Sequence, residues 1–249
     1  PLPNPALHAN YPAAYMSMGE TAENVARKWQ IPRKEQEQFA VRSQQRAAAA
    51  QSEGRFDKEI VPIKANGAAV DKDGCIRADT SLEGLAGLKP AFDKDGTVTA
   101  GTSSPLTDGA AAVLVCSEQY AERNGLAPLA RLRSLAVAGC APEVMGIGPV
   151  AATRKALERA GLGIDEIDVV ELNEAFASQA IACVRELHID DNELNIDGGA
   201  IALGHPLGAT GARIVGKAAA LLQREGGRYA LATQCIGGGQ GIATVLERV

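Results

Sequence analysis

The stretch DVVELNEAFASQAIACVREL, residues 168–187, joins a short apolar run to a segment with helical spacing. The run at 168–172 has the length of a buried strand, and residues 175–187 are predicted to form a helix. Similar patterns recur on both sides of this stretch, as strands at 131–137, 229–233 and 242–246 and as helices at 149–160 and 206–225. This alternation predicts an α/β fold with a mixed, mainly parallel sheet, to which the last hairpin adds an antiparallel pair.

The remainder of the chain has weaker patterns. Residues 54–96 are rich in charge and in Gly and Asp turn signals, which indicates an irregular unit and not a regular layer. After Thr97 short elements resume, and Ser117 is a predicted N-cap for a helix that ends at Gly125. The other predicted elements are helices at 21–30 and 33–52 and strands at 111–115 and 195–196.

The composition argues against several classes of protein. The chain has 249 residues and a net charge of −5, without the Lys and Arg cluster that a nucleic acid would require. Its longest apolar stretches are far shorter than the roughly 20 residues of a membrane span. The five cysteines are odd in number, widely spaced and without a C-x-x-C pair, which disfavours a disulfide framework or a zinc site. We therefore expect a protein of a reducing compartment with no bound metal.

Three polar, glycine-rich blocks fall where predicted strands end or helices begin: NEAF at 173–176, GAIALGHP at 199–206 and CIGGGQG at 235–241. In open α/β sheets, ligands gather at the carboxyl ends of strands. Each block also has an ordinary structural explanation. Asn173 suits a helix cap, His205 a loop histidine, Cys235 an inert buried thiol and the glycines a tight turn.

Taken together, the three blocks indicate chemistry. An amide, an imidazole and a thiol suit acyl transfer through thioesters, because an imidazole or thiol moves protons and an amide or backbone N–H holds an oxyanion. The glycines between 198 and 208 are interpreted as clearing space for a ligand that lies against the backbone. We therefore expect Asn173, His205 and Cys235 to form one site.

These blocks resemble the signature blocks of the thiolase family. Further blocks resemble the family in the same order along the chain: MGETAENVA at 18–26, KPAFD at 89–93, GTVTAG at 96–101 and DGAAA at 108–112. The resemblance covers nearly the whole chain. It implies two similar core domains in α-β-α-β-α layers with an inserted loop domain. This chain would supply part of the loop domain (1–96), the last elements of the N-terminal core (97–125) and the C-terminal core (126–249).

The resemblance also implies roles for individual residues. His205 matches the imidazole that activates the nucleophilic cysteine and lines an oxyanion site. Cys235 matches the second cysteine, which protonates the departing acetyl-CoA enolate or deprotonates acetyl-CoA in reverse. Asn173 matches the residue that positions a water in the oxyanion hole for that enolate, and the Gly237 backbone N–H helps to hold the oxyanion of the acyl-enzyme step.

Three more residues match the substrate slot. Ser104 matches a serine that touches the pantetheine arm, and Met18 and Phe176 match apolar residues along the acyl and pantetheine slot. A neighbouring imidazole or helix N-terminus is expected to bring the pKa of the Cys235 thiol close to neutrality.

Two departures from the family pattern matter. The family's nucleophilic cysteine lies upstream of the part that matches Pro1, and none of the five cysteines here has its context, so we expect the chain to be incomplete as an enzyme. Ser17 stands where short-chain biosynthetic members often carry histidine. That difference favours the degradative branch, the thiolytic cleavage of 3-ketoacyl-CoA in β-oxidation, over an acetoacetyl-CoA thiolase.

Two other functions fit the sequence less well. A non-catalytic, CoA-binding thiolase-like module would not need the acid–base residues, and a ketosynthase would use paired histidines, whereas this chain has only His8, His188 and His205. The resemblance implies coenzyme A as co-substrate and no permanently bound cofactor. It also implies a homodimer or homotetramer, a β-oxidation multienzyme partner and a bacterial cytoplasmic location, with an organellar origin left open.

Overall fold

The computed structural model describes residues 3–249, so the first two residues of the predicted 1–96 unit lie outside it. The helices are α1 Pro5–Asn10, α2 Met18–Lys28, α3 Arg33–Ser52, α4 Leu82–Ala86, α5 Glu118–Arg123, α6 Gly148–Ala160, α7 Ala177–Leu187, α8 Ala200–Leu203 and α9 Thr210–Glu225. The strands are β1 Ile63–Ala65, β2 Ala68–Val70, β3 Ala130–Gly139, β4 Val169–Leu172, β5 Tyr229–Ile236 and β6 Gln240–Arg248. Short 3-10 turns lie at Pro12–Tyr15, Ala100–Thr102, Pro142–Ile147 and Ile164–Glu166.

The main sheet has the strand order β3-β6-β5-β4. Strand β6 runs antiparallel to both of its neighbours, while β4 and β5 are parallel. Strands β3, β4 and β5 therefore all point the same way and only β6 is reversed, as the predicted mixed, mainly parallel sheet requires. The predicted final hairpin is confirmed, because the glycine turn at 237–239 joins β5 to β6.

Helices cover both faces of this sheet. Side chains alternate along β5, so Leu231 packs in one apolar cluster with Leu157 of α6, whereas Ala230 packs in another with Leu221 of α9. Both clusters are fully or almost fully buried. A helix–sheet–helix sandwich follows, as expected for an α/β layered fold.

The irregular segment after α3 is tied to the helices by a buried carboxylate. Glu23 of α2 is 2% exposed and accepts hydrogen bonds from the backbone N–H groups of Thr97 and Val98 at 2.8–3.0 Å. A buried carboxylate is tolerated only when such donors replace its lost water. The contact fixes residues 96–98 against α2, close to the point where the predicted loop unit ends. The three predicted domain boundaries, 1–96, 97–125 and 126–249, remain predictions.

Two predicted strands are wrong. Residues 111–115 form no strand and Leu114 and Val115 are exposed, because no neighbouring strand in the described range pairs with them. At 195–196 the chain turns, since Asn195 has φ = 43°, and only Leu194 makes a single bridge to Val170. The Asn195 side chain takes the place of a paired strand, because it bonds both the N–H and the C=O of Leu172 at 2.9 Å.

The predicted helix at 206–225 begins four residues late. Pro206–Ala209 form a turn, and α9 starts at Thr210. The predicted N-cap at Ser117 is confirmed, because its side chain accepts from the Tyr120 N–H at the start of α5. Helix α6 ends at Gly161, which lies in the left-handed region. Within residues 3–249, no helix is long and apolar enough to cross a membrane.

Candidate active site

Asn173 stands immediately after β4. Its backbone N–H donates to the C=O of Thr233 on β5 at 3.0 Å, so the β4–β5 pairing itself fixes its position. Helix α7 is capped at Phe176, three residues later, so the helix-cap explanation of Asn173 is wrong. Its side chain is fully buried and places Nδ2 3.3 Å from Nε2 of His205.

His205 lies in the loop between α8 and α9 and has a defined partner on each ring nitrogen. Nε2 faces Asn173, and Nδ1 lies 2.7 Å from the hydroxyl of Thr210, the first residue of α9. Burial, and then the positive charge of Arg213, lower the pKa of His205 below its ordinary value. A neutral imidazole at neutral pH can accept a proton, which is what a general base requires.

Cys235 occupies the seventh strand position of β5 and packs with Met145, Ala175 and Phe176 in a small apolar cluster. Burial raises the pKa of this thiol to about 12. The expected near-neutral pKa is therefore wrong. The group is a neutral thiol at rest, so it is ready to donate a proton and not to accept one.

The residues matched to the substrate slot gather around the same two strand ends. Ser104 bonds the C=O of Ala175 through both its N–H and its hydroxyl, at 3.0 and 3.1 Å. Phe176 stacks edge-on against Phe92 with ring centroids 5.7 Å apart. Exposed Met18 reaches Gly237, since a Cβ at that glycine would lie 3.9 Å from the Met18 sulfur.

Glu174 is a site residue that the sequence reasoning missed. Its buried carboxylate accepts from the Ser43 hydroxyl at 2.6 Å, the Asn195 side-chain amide at 2.8 Å and the Ile201 N–H at 3.1 Å. Burial raises its pKa, against the effect of these donors. The carboxylate thus joins α3 to the loop that precedes His205. The available signal was a glutamate set between the apolar residues Leu172 and Ala175.

Most of the glycines near His205 allow close packing of protein atoms and do not open space for a ligand. A Cβ at Gly198 would lie 2.6 Å from the C=O of Ser43 on α3, and one at Gly199 would lie 2.2 Å from the Glu174 carboxyl carbon. Gly204 is likewise closed off by Thr107, whereas Gly208 has nothing within 4 Å. The interpretation of these glycines as a ligand channel is therefore corrected for all but Gly208.

Glu171 is a second buried carboxyl near the site. It lies two residues before Asn173 on the face of β4 that α9 covers, is 1% exposed, and its Oε1 has no hydrogen-bond partner. Burial raises its pKa to about 8, against the positive charges of Arg213 and Lys217. The folded protein therefore holds a proton on Glu171 at neutral pH.

Glu171→Gln should remove a pH-dependent loss of stability. From about pH 4.5 to about pH 8 the unfolded chain has ionised this carboxyl while the folded protein retains its proton. Since the folded pKa is raised, stability falls as pH rises, by about 1.4 kcal/mol per pH unit for this group. Urea unfolding at ~pH 5 and ~pH 8 should show a flatter dependence in the variant than in wild type. The control is Glu122→Gln on exposed α5; equal slopes for Glu171→Gln and wild type would contradict the assignment.

The site has the elements of acid–base chemistry. No group of three or more His, Cys, Asp or Glu side chains within the described residues is arranged to hold a metal ion. Asn173 and Cys235 lie at the carboxyl ends of the adjacent, parallel strands β4 and β5, and the imidazole of His205 meets Asn173 from the loop between α8 and α9. Such a set can accept a proton, donate one and hydrogen-bond a developing negative charge.

The fold is that of solved thiolases. The crystal structure of human mitochondrial 3-ketoacyl-CoA thiolase in complex with CoA matches with a TM-score of 0.92 at 47% identity, over 94% of this chain and 59% of that chain. The sequence also matches the models of the thiolase N-terminal domain, at residues 6–119, and of the thiolase C-terminal domain, at residues 126–248. The chain belongs to the thiolase family.

Two curated relatives show how much of each chain the sequence similarity covers. Acetyl-CoA acetyltransferase of Chromobacterium violaceum is 54% identical over 236 residues, which are 93% of this chain and 60% of the relative. The 3-ketoacyl-CoA thiolase of Vibrio parahaemolyticus is 50% identical over 254 residues, covering 98% of this chain and 65% of the relative. The chain thus spans about 60% of the length of the first of these relatives and slightly more of the second.

Proposed function

We propose that the protein is an acetyl-CoA C-acyltransferase that cleaves 3-ketoacyl-CoA with CoA, giving acetyl-CoA and an acyl-CoA shortened by two carbons. The supporting observation is the contact between Asn173 and His205, in a chain of the thiolase family whose next parallel strand carries Cys235 near its carboxyl end. A binding module would have no use for a half-buried imidazole and a buried thiol.

In the first half-reaction, a nucleophilic thiol gives its proton to Nε2 of His205 and attacks the 3-keto carbon. The bond between C2 and C3 then breaks, and the electron pair moves onto the acetyl-CoA fragment as an enolate. The Cys235 thiol protonates C2, while Asn173 holds a water that stabilises the enolate oxygen. In the second half-reaction, CoA releases its thiol proton to solvent and attacks the acyl-enzyme thioester as a thiolate, while the Gly237 N–H stabilises the oxyanion. The leaving nucleophilic thiolate takes its proton back from His205, and the Cys235 thiolate regains a proton from solvent.

The nucleophilic thiol is proposed to lie outside this chain. Within the described residues, the two ring nitrogens of His205 have Asn173 and Thr210 as partners, and no cysteine sulfur is bonded to either nitrogen. Cys183 is buried, with a pKa that burial raises, and Cys116 is exposed near α5. The share of the relatives that this chain covers leaves room for such a segment.

The degradative branch is proposed, with acetoacetyl-CoA synthesis as the alternative. The Vibrio relative, named a 3-ketoacyl-CoA thiolase, supports the first, and the Chromobacterium relative, named an acetyltransferase, supports the second. Ser17 is weaker support than the sequence indicated, because it caps α2 through a reciprocal pair of bonds with Glu20 and so has a local structural reason. Ser104, Met18 and Phe176 are proposed to line the pantetheine and acyl slot.

The wider proposals follow from the family. CoA is a co-substrate, no cofactor is permanently bound, the working form is a homodimer or homotetramer, and a β-oxidation multienzyme is the proposed partner. The bacterial relatives support a bacterial cytoplasmic location.

The proposed function is tested by CoA-dependent thiolysis with the protein purified from its source. Acetoacetyl-CoA and a longer 3-ketoacyl-CoA are supplied in parallel, and loss of the 3-keto thioester absorbance is followed. We expect both to be cleaved, with the longer substrate preferred. Preference for acetoacetyl-CoA would select the alternative branch, and CoA binding without cleavage would favour a non-catalytic module.

A further inference from the structure

The two ring nitrogens of His205 are not equivalent in the structure. Nδ1 lies 2.7 Å from Oγ1 of Thr210, and Nε2 lies 3.3 Å from Nδ2 of Asn173. Thr210 is fully buried and sits at the first position of α9, so the start of a long helix fixes its hydroxyl. As a β-branched residue, it also has few side-chain conformations open to it.

The hydroxyl hydrogen of Thr210 already has an acceptor. Oγ1 donates to the C=O of Pro206 at 3.0 Å, within the turn that leads into α9. A hydroxyl carries one hydrogen and two lone pairs, so while its hydrogen is bonded to Pro206 the Thr210 hydroxyl accepts from His205. The proton of the neutral ring then lies on Nδ1, and the Nε2 lone pair faces the amide hydrogens of Asn173.

The reverse tautomer requires two rearrangements. The Thr210 hydroxyl would have to leave the C=O of Pro206 in order to donate to Nδ1. The Asn173 amide would also have to turn over, so that Oδ1 and not Nδ2 meets the ring. The arrangement in the structure needs neither change.

We propose that Thr210 is a positioning residue that holds His205 in its Nδ1–H tautomer, so that Nε2, on the Asn173 side of the ring, is the nitrogen that takes up a proton. The inference rests on the proposed function, because it states how the base of that reaction is oriented. When Nε2 takes a proton, the same hydroxyl continues to accept from Nδ1 and so stabilises the imidazolium. A partner hydroxyl in place of the more common carboxylate leaves the imidazole without a negative charge beside it, which fits its lowered pKa.

Two variants and one spectrum test this role. Thr210→Val keeps the shape of the side chain but removes the acceptor, so kcat should fall roughly 10–100-fold, the size of effect seen when the partner that orients a metal-bound histidine is removed. KM for CoA should change little. Thr210→Ser keeps the hydroxyl and should restore most of kcat. Thr153→Val, at a buried threonine of α6, is the matched control and should stay close to wild type.

The spectroscopic test does not depend on activity. In the source protein labelled with ¹⁵N-histidine, His205 is assigned from the signal lost in His205→Gln. At alkaline pH we expect a protonated Nδ1 and an unprotonated Nε2 in wild type and in Thr210→Ser, and a mixture of tautomers in Thr210→Val. A proton on Nε2 in wild type, or full kcat in Thr210→Val, would overturn the inference. Absence of thiolysis in wild type would refute the proposed function, and the spectrum would still decide the tautomer.

Discussion

Replacing His205 with alanine is expected to lower kcat for thiolysis by at least roughly 10³-fold. The variant loses the base that activates the nucleophilic thiol and a donor to the oxyanion, each of which alone typically contributes roughly 10²-fold or more. The two losses do not simply multiply, because they occur at one residue. The measurement is steady-state thiolysis of a 3-ketoacyl-CoA, combined with isotope exchange between labelled CoA and an acyl-CoA. Both activities should be lost, since each needs the nucleophile.

The matched control is His188→Asn. His188 is exposed at the end of α7 with φ = 57°, a backbone conformation that asparagine accepts well. This variant should keep wild-type rates. Exchange activity that survives in His205→Ala would show that another group activates the nucleophile, and the role given to His205 would then be wrong.

Replacing Cys235 with alanine is expected to separate the two half-reactions. Protonation of the enolate needs the thiol, so thiolysis of 3-ketoacyl-CoA should fall roughly 10²–10⁴-fold. Exchange of CoA with a saturated acyl-CoA breaks no carbon–carbon bond and forms no enolate, so it should survive. The raised pKa of Cys235 makes the thiol the resting form, which is the form that this step consumes.

Cys140→Ala provides the comparison for Cys235→Ala. Cys140 follows β3 and its N–H bonds the C=O of Gly239, so it lies beside the glycine turn without belonging to the apolar cluster that holds Cys235. Both activities should persist in that variant. If Cys235→Ala lost exchange and thiolysis equally, Cys235 would be acting in both half-reactions. The assignment of Cys235 as the acid that protonates only the enolate would then be wrong.

The regular elements of the C-terminal half were predictable because their patterns are local. Apolar runs flanked by glycine and helix caps such as Ser117 locate β4, β5, α6 and α5 without reference to the rest of the molecule. Residues 111–115 have the same apolar character, yet a strand needs a hydrogen-bonded neighbour and the described residues offer none. The strand predicted at 195–196 is wrong for another reason. The backbone pairs with Val170 only around Leu194, and beyond that point the Asn195 side chain bonds the backbone of Leu172 in place of further main-chain pairing.

The site was predictable in its residue types but not in its energetics. Asn173, His205 and Cys235 follow strands or precede a helix, and that placement is visible in the sequence. The pKa of Cys235 depends on Met145 and Phe176, which reach it from distant parts of the chain, so its direction of shift was mistaken. Glu174 and Thr210 were missed because their importance lies in their hydrogen-bond partners, and no spacing rule identifies Ser43 as one of them.

The Glu174 contact has a consequence for recombination between thiolases. Ser43 comes from α3, far upstream of the Glu174 that it meets at 2.6 Å, and Gly199 donates its N–H to the same serine. Any chimera joined between α3 and β4 inherits these partners from two parents. If the parents differ at either position, the hybrids should keep intact cores but have a displaced His205 loop. A crossover within 53–168 therefore works only when the residues that the two parents supply at 43 and 174 can still bond each other. Aligning each half of the sequence separately would not reveal this requirement.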